Sequence, residues 1–356
     1  MPDDAHPAQD TQGLSFPCGA PPAVGQAREV LPGLLWLRMP LPFVLDHINL
    51  WALREGEGWA IVDSGVQTPA VLAAWSAMLA ADGALGGLPV TRVFATHLHP
   101  DHIGMAGWLT RKFDCRLWTT RQEYLMCRTL MSDTGRTAPD DAIRFYRRCG
   151  WPTEALDLYR ARFGGFGRHM HTLPDSYRRL VDGERLRLGE HEWRVVVGRG
   201  HSPEHACLVC DELQVMISGD QVLPRITSNI SVFPMEPEAD PLADWLDSIA
   251  QLRARLTDTL LVLPAHGEPF RGLHARLEQL AQGHARGLAQ LERALAEPRR
   301  VVDLFGTLFT RQIDSNLMQF GFATGETVAH LNHLVARGRV RILPGDDGVW
   351  RYRAQP

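Results

Sequence analysis

Three histidines and a carboxylate fall within six residues of this 356-residue chain, in Thr96-His97-Leu98-His99-Pro100-Asp101-His102-Ile103-Gly104, directly after the apolar run Val90 to Ala95. A β-branched and aromatic run of that length reads as a buried strand. Pro100 forbids its simple continuation, so the polar cluster sits on a turn leaving a sheet. Strand ends of this kind are where α/β sheets carry their chemistry. A lone histidine in such a loop is more often structural than a ligand, but four potential ligands at this spacing point to a metal. Imidazole and carboxylate suit zinc, iron and related cations, and a catalytic site takes few enough protein ligands to keep a position open for water.

The stretch matches, residue for residue, the HxHxDH signature of the metallo-β-lactamase superfamily, and the chain resembles a member. The resemblance implies an α/β fold, the αββα metallo-β-lactamase sandwich, with further ligands at three later strand ends. Three candidates are present: Gly200-His201-Ser202-Pro203-Glu204-His205 after Val195–Val197, Ser218-Gly219-Asp220 after Val215–Ile217, and Pro264-Ala265-His266-Gly267 after Leu260–Leu263. Carried over, the family pattern gives one metal to His97, His99 and His201, a second to Asp101, His102 and His266, and makes Asp220 the bridge. It implies two divalent ions, zinc first and iron or manganese as alternatives, with Asp101 and Asp220 as the carboxylates of the catalytic centre. Two cations about 3.5–4 Å apart can hold a hydroxide between them, lowering the pKa of water from about 16 towards 7. The implied chemistry is hydrolysis. Asp63-Ser64-Gly65 resembles the family's VDTG-like turn, and its Asp63 is expected to orient a ligand, because the ligand count is already full. His205 is open between orienting a ligand and facing the substrate.

The rest of the chain divides into three parts. Residues 1–26, rich in Pro, Gly and Ala, read as a loose arm. Residues 27–272 contain all the strand-end motifs, with antiparallel strands opening the domain and a helical insertion at about 120–180, expected as a cap over the metals. Residues 273–356 begin with Leu273, Leu277, Leu280, Leu288, Leu291 and Leu295 at helical spacing. They continue with a helix from Gly325 to Arg337, N-capped by Thr324, and a hairpin pairing Val340–Leu343 with Val349–Tyr352, a winged-helix pattern. His169-Met170-His171 lacks a third donor and is read as non-ligand, and Cys207-Leu208-Val209-Cys210 lacks a second pair and is read as structural.

An apolar share of 45% and a charged share of 22% are those of an ordinary globular protein. The net charge of −4 gives no hint of a polyanionic partner. The candidate recognition helix offers His330, Asn332, His333 and Arg337, and Arg339, Arg341, Arg351 and Arg353 flank the wing, but phosphate binding wants a cationic stripe, and the helix also carries Glu326 and the wing tip Asp346 and Asp347. A nucleic-acid partner is therefore disfavoured against packing or homodimer formation by the terminal unit. Six cysteines without a framework spacing, no signal-peptide pattern and no apolar run of about 20 residues lead to the expectation of a cytoplasmic protein without a membrane span. The whole arrangement resembles the glyoxalase II-like branch, and within it the β-lactamase-like proteins that end in a winged helix. Three functions are carried forward: a thioester, carboxylic ester or lactone hydrolase acting on a small acyl substrate, a nuclease or phosphodiesterase, and a metal-binding regulator whose winged helix reads DNA.

Overall fold

A computed structural model describes residues 12–42, 45–310, 313 and 317–355. Its first sheet holds seven strands in sequence order, β1 (Ala27–Leu31), β2 (Leu34–Pro40), β3 (His47–Glu55), β4 (Gly58–Val62), β5 (Val90–Phe94), β6 (Arg116–Thr119) and β7 (Arg178–Arg179). β1 to β4 run antiparallel, and tight turns join β1 to β2 and β3 to β4, with Gly33 and Gly56 taking the positive φ that such turns need. From β4 onwards the strands run parallel, and parallel neighbours need crossovers. Helix α1 (Pro69–Met78), capped by the Thr68 side chain, provides the first; α2 (Pro100–Ile103) and α3 (Ala106–Phe113) provide the second. The second sheet holds β8 (Arg185–Leu188), β9 (His191–Gly198), β10 (His205–Cys210), β11 (Val215–Gly219) and β12 (Leu261–Pro264) in the order β12-β11-β10-β9-β8.

Alternation along the strands decides the layers. In β3, Trp51 and Leu53 point between the sheets, where they meet Trp193, Val195, Leu208 and Ile217, while Ile48, Leu50 and Ala52 point outwards to Trp75, Met78 and Leu109. The outer face of the second sheet, Val196, Val209, Met216 and Val262, is covered by Trp245 and Leu252 of α7 (Pro241–Arg255) and Leu277 of α8 (Leu273–Ala294). The layers therefore run helix, sheet, sheet, helix. Each large apolar side chain so buried contributes about 1.5–3 kcal/mol, which is why both sheets need helical cover. Cys207 and Cys210 fall on opposite faces of β10, one in each core, so they form no chelating pair.

The helical insertion comprises α4 (Arg121–Ser132), α5 (Asp140–Arg148) and α6 (Thr153–Arg162). Its later part packs against the C-terminal residues. Phe145, Tyr146, Trp151 and Leu156 are buried with Leu304, Phe305, Ala323 and Tyr352 of the C-terminal residues, and Trp151 Nε1 donates to Thr324 Oγ1 at 2.8 Å. Those C-terminal residues form a 3-10 turn at Val301–Leu304, α9 (Phe305–Leu308), α10 (Leu317–Ala336) and the hairpin β13 (Val340–Pro344) with β14 (Trp350–Ala354). Thr324 is not the N-cap expected: α10 already runs through it, and its hydroxyl bonds back to Phe320 O at 2.7 Å. The N-terminal arm also differs from expectation. From Gln12 onwards it is pinned, Ser15 and Arg271 exchanging backbone hydrogen bonds of 3.2 and 2.9 Å. Residues 1–11 of that arm lie outside the described residues. Among the described residues, no helix is long and apolar enough to cross a membrane.

Candidate metal centre

The ends of β5, β9, β11 and β12 meet at one edge of the sandwich and deliver seven donor side chains in two groups. His97, His99, His201 and Asp220 make the first, and Asp101, His102 and His266 the second. Asp220 stands between them: its Oδ2 lies 3.4 Å from His201 Nε2 and 3.5 Å from His102 Nε2, and its Oδ1 lies 3.4 Å from His266 Nε2. Asp101 Oδ2 is 3.5 Å from His102 Nε2 and 3.4 Å from His266 Nε2. Within the first group, His97 Nε2 is 2.8 Å from His99 Nδ1 and 3.3 Å from His201 Nε2. Every residue expected to ligate metal is thus at this edge. His169 and His171 are in neither group.

The far nitrogens of these rings are tied to the protein, which leaves the near ones facing inwards. His102 Nδ1 lies 2.8 Å from Asp63 Oδ2, His201 Nδ1 lies 2.8 Å from Asn229 O, and His266 Nδ1 lies 2.9 Å from His47 O. This is the arrangement that fixes the tautomer and aim of metal-ligating histidines. His102 Nε2 and Asp220 Oδ1 are buried without a hydrogen-bond partner. Buried polar atoms are normally partnered, so two orphans among converging donors fit a cation.

Asp63 takes a left-handed backbone, φ 62°, and its carboxylate also accepts from Thr96 N–H at 2.8 Å, locking the start of the histidine turn. His205 is fully buried, with Nε2 accepting the Asp220 N–H at 3.0 Å and its ring stacked 4.8 Å from that of His97. From inside the core the ring thus holds the Asp220 backbone. Gly219 allows it, since a Cβ there would sit 2.6 Å from the His205 ring.

Electrostatics sort the donors. Burial, followed by repulsion from His102 and His99, holds His97 neutral well below the ordinary histidine range, and burial with His201 takes His99 down to about 3. Burial also opposes charge on His102, yet Asp101, Asp220 and Asp63 outweigh it and raise its pKa. The carboxylates stay ionised: burial pushes Asp101 up, but His102 and His266 prevail and bring it to about 2. Neutral imidazoles and ionised carboxylates are the forms that bind metal, and His97, His99, Asp101 and Asp220 are held in them; His102 and His266, raised by those carboxylates, would give up a proton to a cation.

Residues 44–266 match the family description "Metallo-beta-lactamase superfamily". The chain belongs to the metallo-beta-lactamase superfamily. Residues 288–355 match a second family, "Metallo-beta-lactamase-like, C-terminal domain". Among solved superfamily structures, a beta-lactamase domain protein from Burkholderia ambifaria is 41% identical, with a TM-score of 0.87 over 97% of this chain and 99% of that one. A metallo-beta-lactamase family protein from Thermus thermophilus is 27% identical, with a TM-score of 0.77 over 92% and 100%. An atrochrysone carboxyl ACP thioesterase from Aspergillus fumigatus is 22% identical over 72% of this chain, and one from a Cryptosporiopsis species is 23% identical over 68%. The chain spans about half the length of these curated relatives, 47% and 56% respectively.

Several residues that support the superfamily motifs escape a reading of the motifs alone. Glu123, in α4, is fully buried; its two oxygens accept from Leu98 N–H at 2.9 Å and Glu204 N–H at 2.7 Å, so it ties the first histidine turn to the His201 loop. Burial pushes its pKa up to about 7. The available signal was an acid on the same helical face as Tyr124 and Cys127, where a surface helix should be apolar. Asn49 Nδ2 donates to Pro264 O at 3.0 Å and Gly267 O at 2.7 Å, bracketing His266. Nothing in the neighbourhood of Asn49 or Asn229 in the sequence marks either, because their partners are hundreds or tens of residues away.

Proposed function

We propose that this protein is a binuclear metal-dependent hydrolase of a thioester, or of a related carboxylic ester or lactone, in the glyoxalase II-like branch. Residues 27–272 would be its catalytic domain and 273–356 a helical linker and winged-helix-like unit. The observation that carries the reading is the position of Asp220 within 3.5 Å of donors in both groups. His97, His99 and His201 would hold one ion, Asp101, His102 and His266 the other, and Asp220 both, with zinc favoured by the imidazole-rich set over iron or manganese. When bound, such a pair supplies a water of lowered pKa and a Lewis acid for the carbonyl. The chain's own part is to aim the donors: Asp63 sets the tautomer of His102, and His205 holds the backbone of Asp220.

An acyl substrate is supported by the thioesterase names of the fungal relatives and by Phe233 and Met235, exposed shortly after Asn229, which touches His201. The nuclease and DNA-regulator readings are weakened by the state of α10. His330 and His333 are buried, Asn332 donates to Pro237 O and Ala239 O, and Arg337 pairs with Asp240, so the side chains a recognition helix would present are taken up in packing. The six free cysteines suit a reducing, cytoplasmic setting. Elemental analysis of the purified protein should give close to two metal ions per chain. A panel of acyl-CoA, acyl-glutathione, acyl carrier protein, lactone and bis-p-nitrophenyl phosphate substrates should show metal-dependent turnover of a carboxylic derivative. Turnover of the phosphodiester alone would replace this reading with the nuclease one.

A further inference from the structure

The segment 228–232 lies between the metal centre and α10 and touches both. On the inner side, Asn229 O faces His201 Nδ1 at 2.8 Å, and the Ser228 hydroxyl donates to Asp220 O. On the outer side, Asn229 Nδ2 donates to Glu326 Oε2 at 2.8 Å, and Val232 N–H donates to Gly325 O at 3.1 Å. The Ser231 hydroxyl closes the loop on itself by donating to Asn229 Oδ1. The approach of α10 is close enough to require glycine: a Cβ on Gly325 would lie 2.8 Å from Ser231 Cβ and 3.0 Å from Val232 O.

We propose that the C-terminal residues are a working part of the metal centre, with Glu326 as a positioning residue that holds Asn229 and, through its carbonyl, the aim of His201. The proposal rests on the reading of His201 and Asp220 as metal ligands. Its physical basis is the fixed geometry of the Asn229 side chain. That amide is gripped at both ends, by Glu326 and by Ser231, so the peptide carbonyl of the same residue has little freedom to turn away from the imidazole. A ligand whose far nitrogen loses its partner is free to rotate, and partners of this kind are typically worth about 10–100-fold in metal affinity. Glu326 belongs to neither donor group and acts through Asn229, and its effect should therefore appear in metal binding ahead of chemistry.

Full-length wild type, Glu326→Ala and Glu326→Gln are compared by zinc titration against a chromophoric chelator, with melting temperatures recorded in excess chelator and in zinc. Wild type should bind two zinc ions. Glu326→Ala should weaken one of the two sites by about 10–100-fold and leave the other unchanged. Glu326→Gln should restore it, since its amide oxygen can still accept from Asn229. The melting temperature in chelator should move less than that in zinc. Unchanged zinc constants in Glu326→Ala overturn the proposal. So do equal losses of melting temperature with and without zinc, which would make Glu326 an ordinary packing residue. Should Glu326→Ala not fold, Gly325→Ala displaces the same loop from the same side and carries the same expectation. A wild type that binds no zinc would remove the metal reading and this proposal with it; a wild type binding two ions beside an unaffected Glu326→Ala removes the proposal alone.

Discussion

Glu123 uses both carboxylate oxygens on buried backbone donors, Leu98 N–H and Glu204 N–H. Gln at this position has one acceptor and must turn an NH2 towards the other N–H, leaving a buried donor unpaired. That situation costs about 1–3 kcal/mol. Glu123→Gln is therefore expected to lower unfolding free energy by about that amount in chelator, measured by denaturant titration, and an unchanged stability would show that water already serves these amides. Asp220 and His205 make a second contrast. Asp220 lies within 3.5 Å of donors in both groups, so on the proposed binuclear reading Asp220→Ala should lose both metals and essentially all turnover. His205 only holds the Asp220 backbone, and His205→Ala should keep measurable metal while binding it about 10–100-fold more weakly. Equal metal loss in the two variants would mean that His205 is a ligand.

Helices α8 and α10 meet through His284 and His330, whose rings approach to 3.2 Å in a buried contact. Burial, and the nearness of His330 and His333, bring His284 down to about 3; burial and His333 bring His330 to about 4. Both folded values lie below the unfolded value near 6.5, so between those limits the unfolded chain holds protons that the folded one does not. Stability is thus fully present above about pH 6.5 and is lost as pH falls, at about 1.4 kcal/mol per pH unit for each proton. Melting in chelator should drop between pH 7 and 5, and His284→Leu should flatten the slope; an identical slope would place the acid sensitivity elsewhere. These two histidines also mark the limit of what was legible. The strands that end in the motifs follow from local pattern, because an apolar run and a polar residue at its end are written within ten residues of each other, whereas the grouping of the donors comes from the resemblance to the superfamily. Helix α10 is different: His330, His333, Asn332 and Arg337 look like a polar recognition face, and only the partners supplied by Asp240, Pro237, Ala239 and His284 turn that face inwards. The same reasoning explains the N-cap expected at Thr324. A glycine after a threonine suggested a boundary, whereas Gly325 serves a close approach to Ser231 far away in the chain.

At the scale of the molecule, one core joins what the sequence suggests as separate parts. Phe145 and Trp151 of the insertion, Trp245 of α7, Leu277 of α8, Leu304 and Leu331 of the C-terminal residues, and Met216 and Val262 of the second sheet belong to a single buried cluster. The second sheet in turn carries Asp220 and His266 at its strand ends. Metal binding should therefore be felt across the whole chain and not by residues 27–272 alone. Calorimetry in chelator is expected to show one unfolding transition, with the van't Hoff and calorimetric enthalpies in agreement. Adding zinc to 1,000 times its dissociation constant should raise the stability of that transition by about 4 kcal/mol per site, provided the unfolded chain does not bind it. Removing Val301 onwards uncovers Trp151, Phe145 and Leu277 and takes Glu326 with it, so the truncated protein should aggregate or melt far lower and show a smaller zinc increment. Two transitions in the intact protein, only one of them moving with zinc, would show instead that the C-terminal residues fold on their own and merely rest on the metal-binding sandwich.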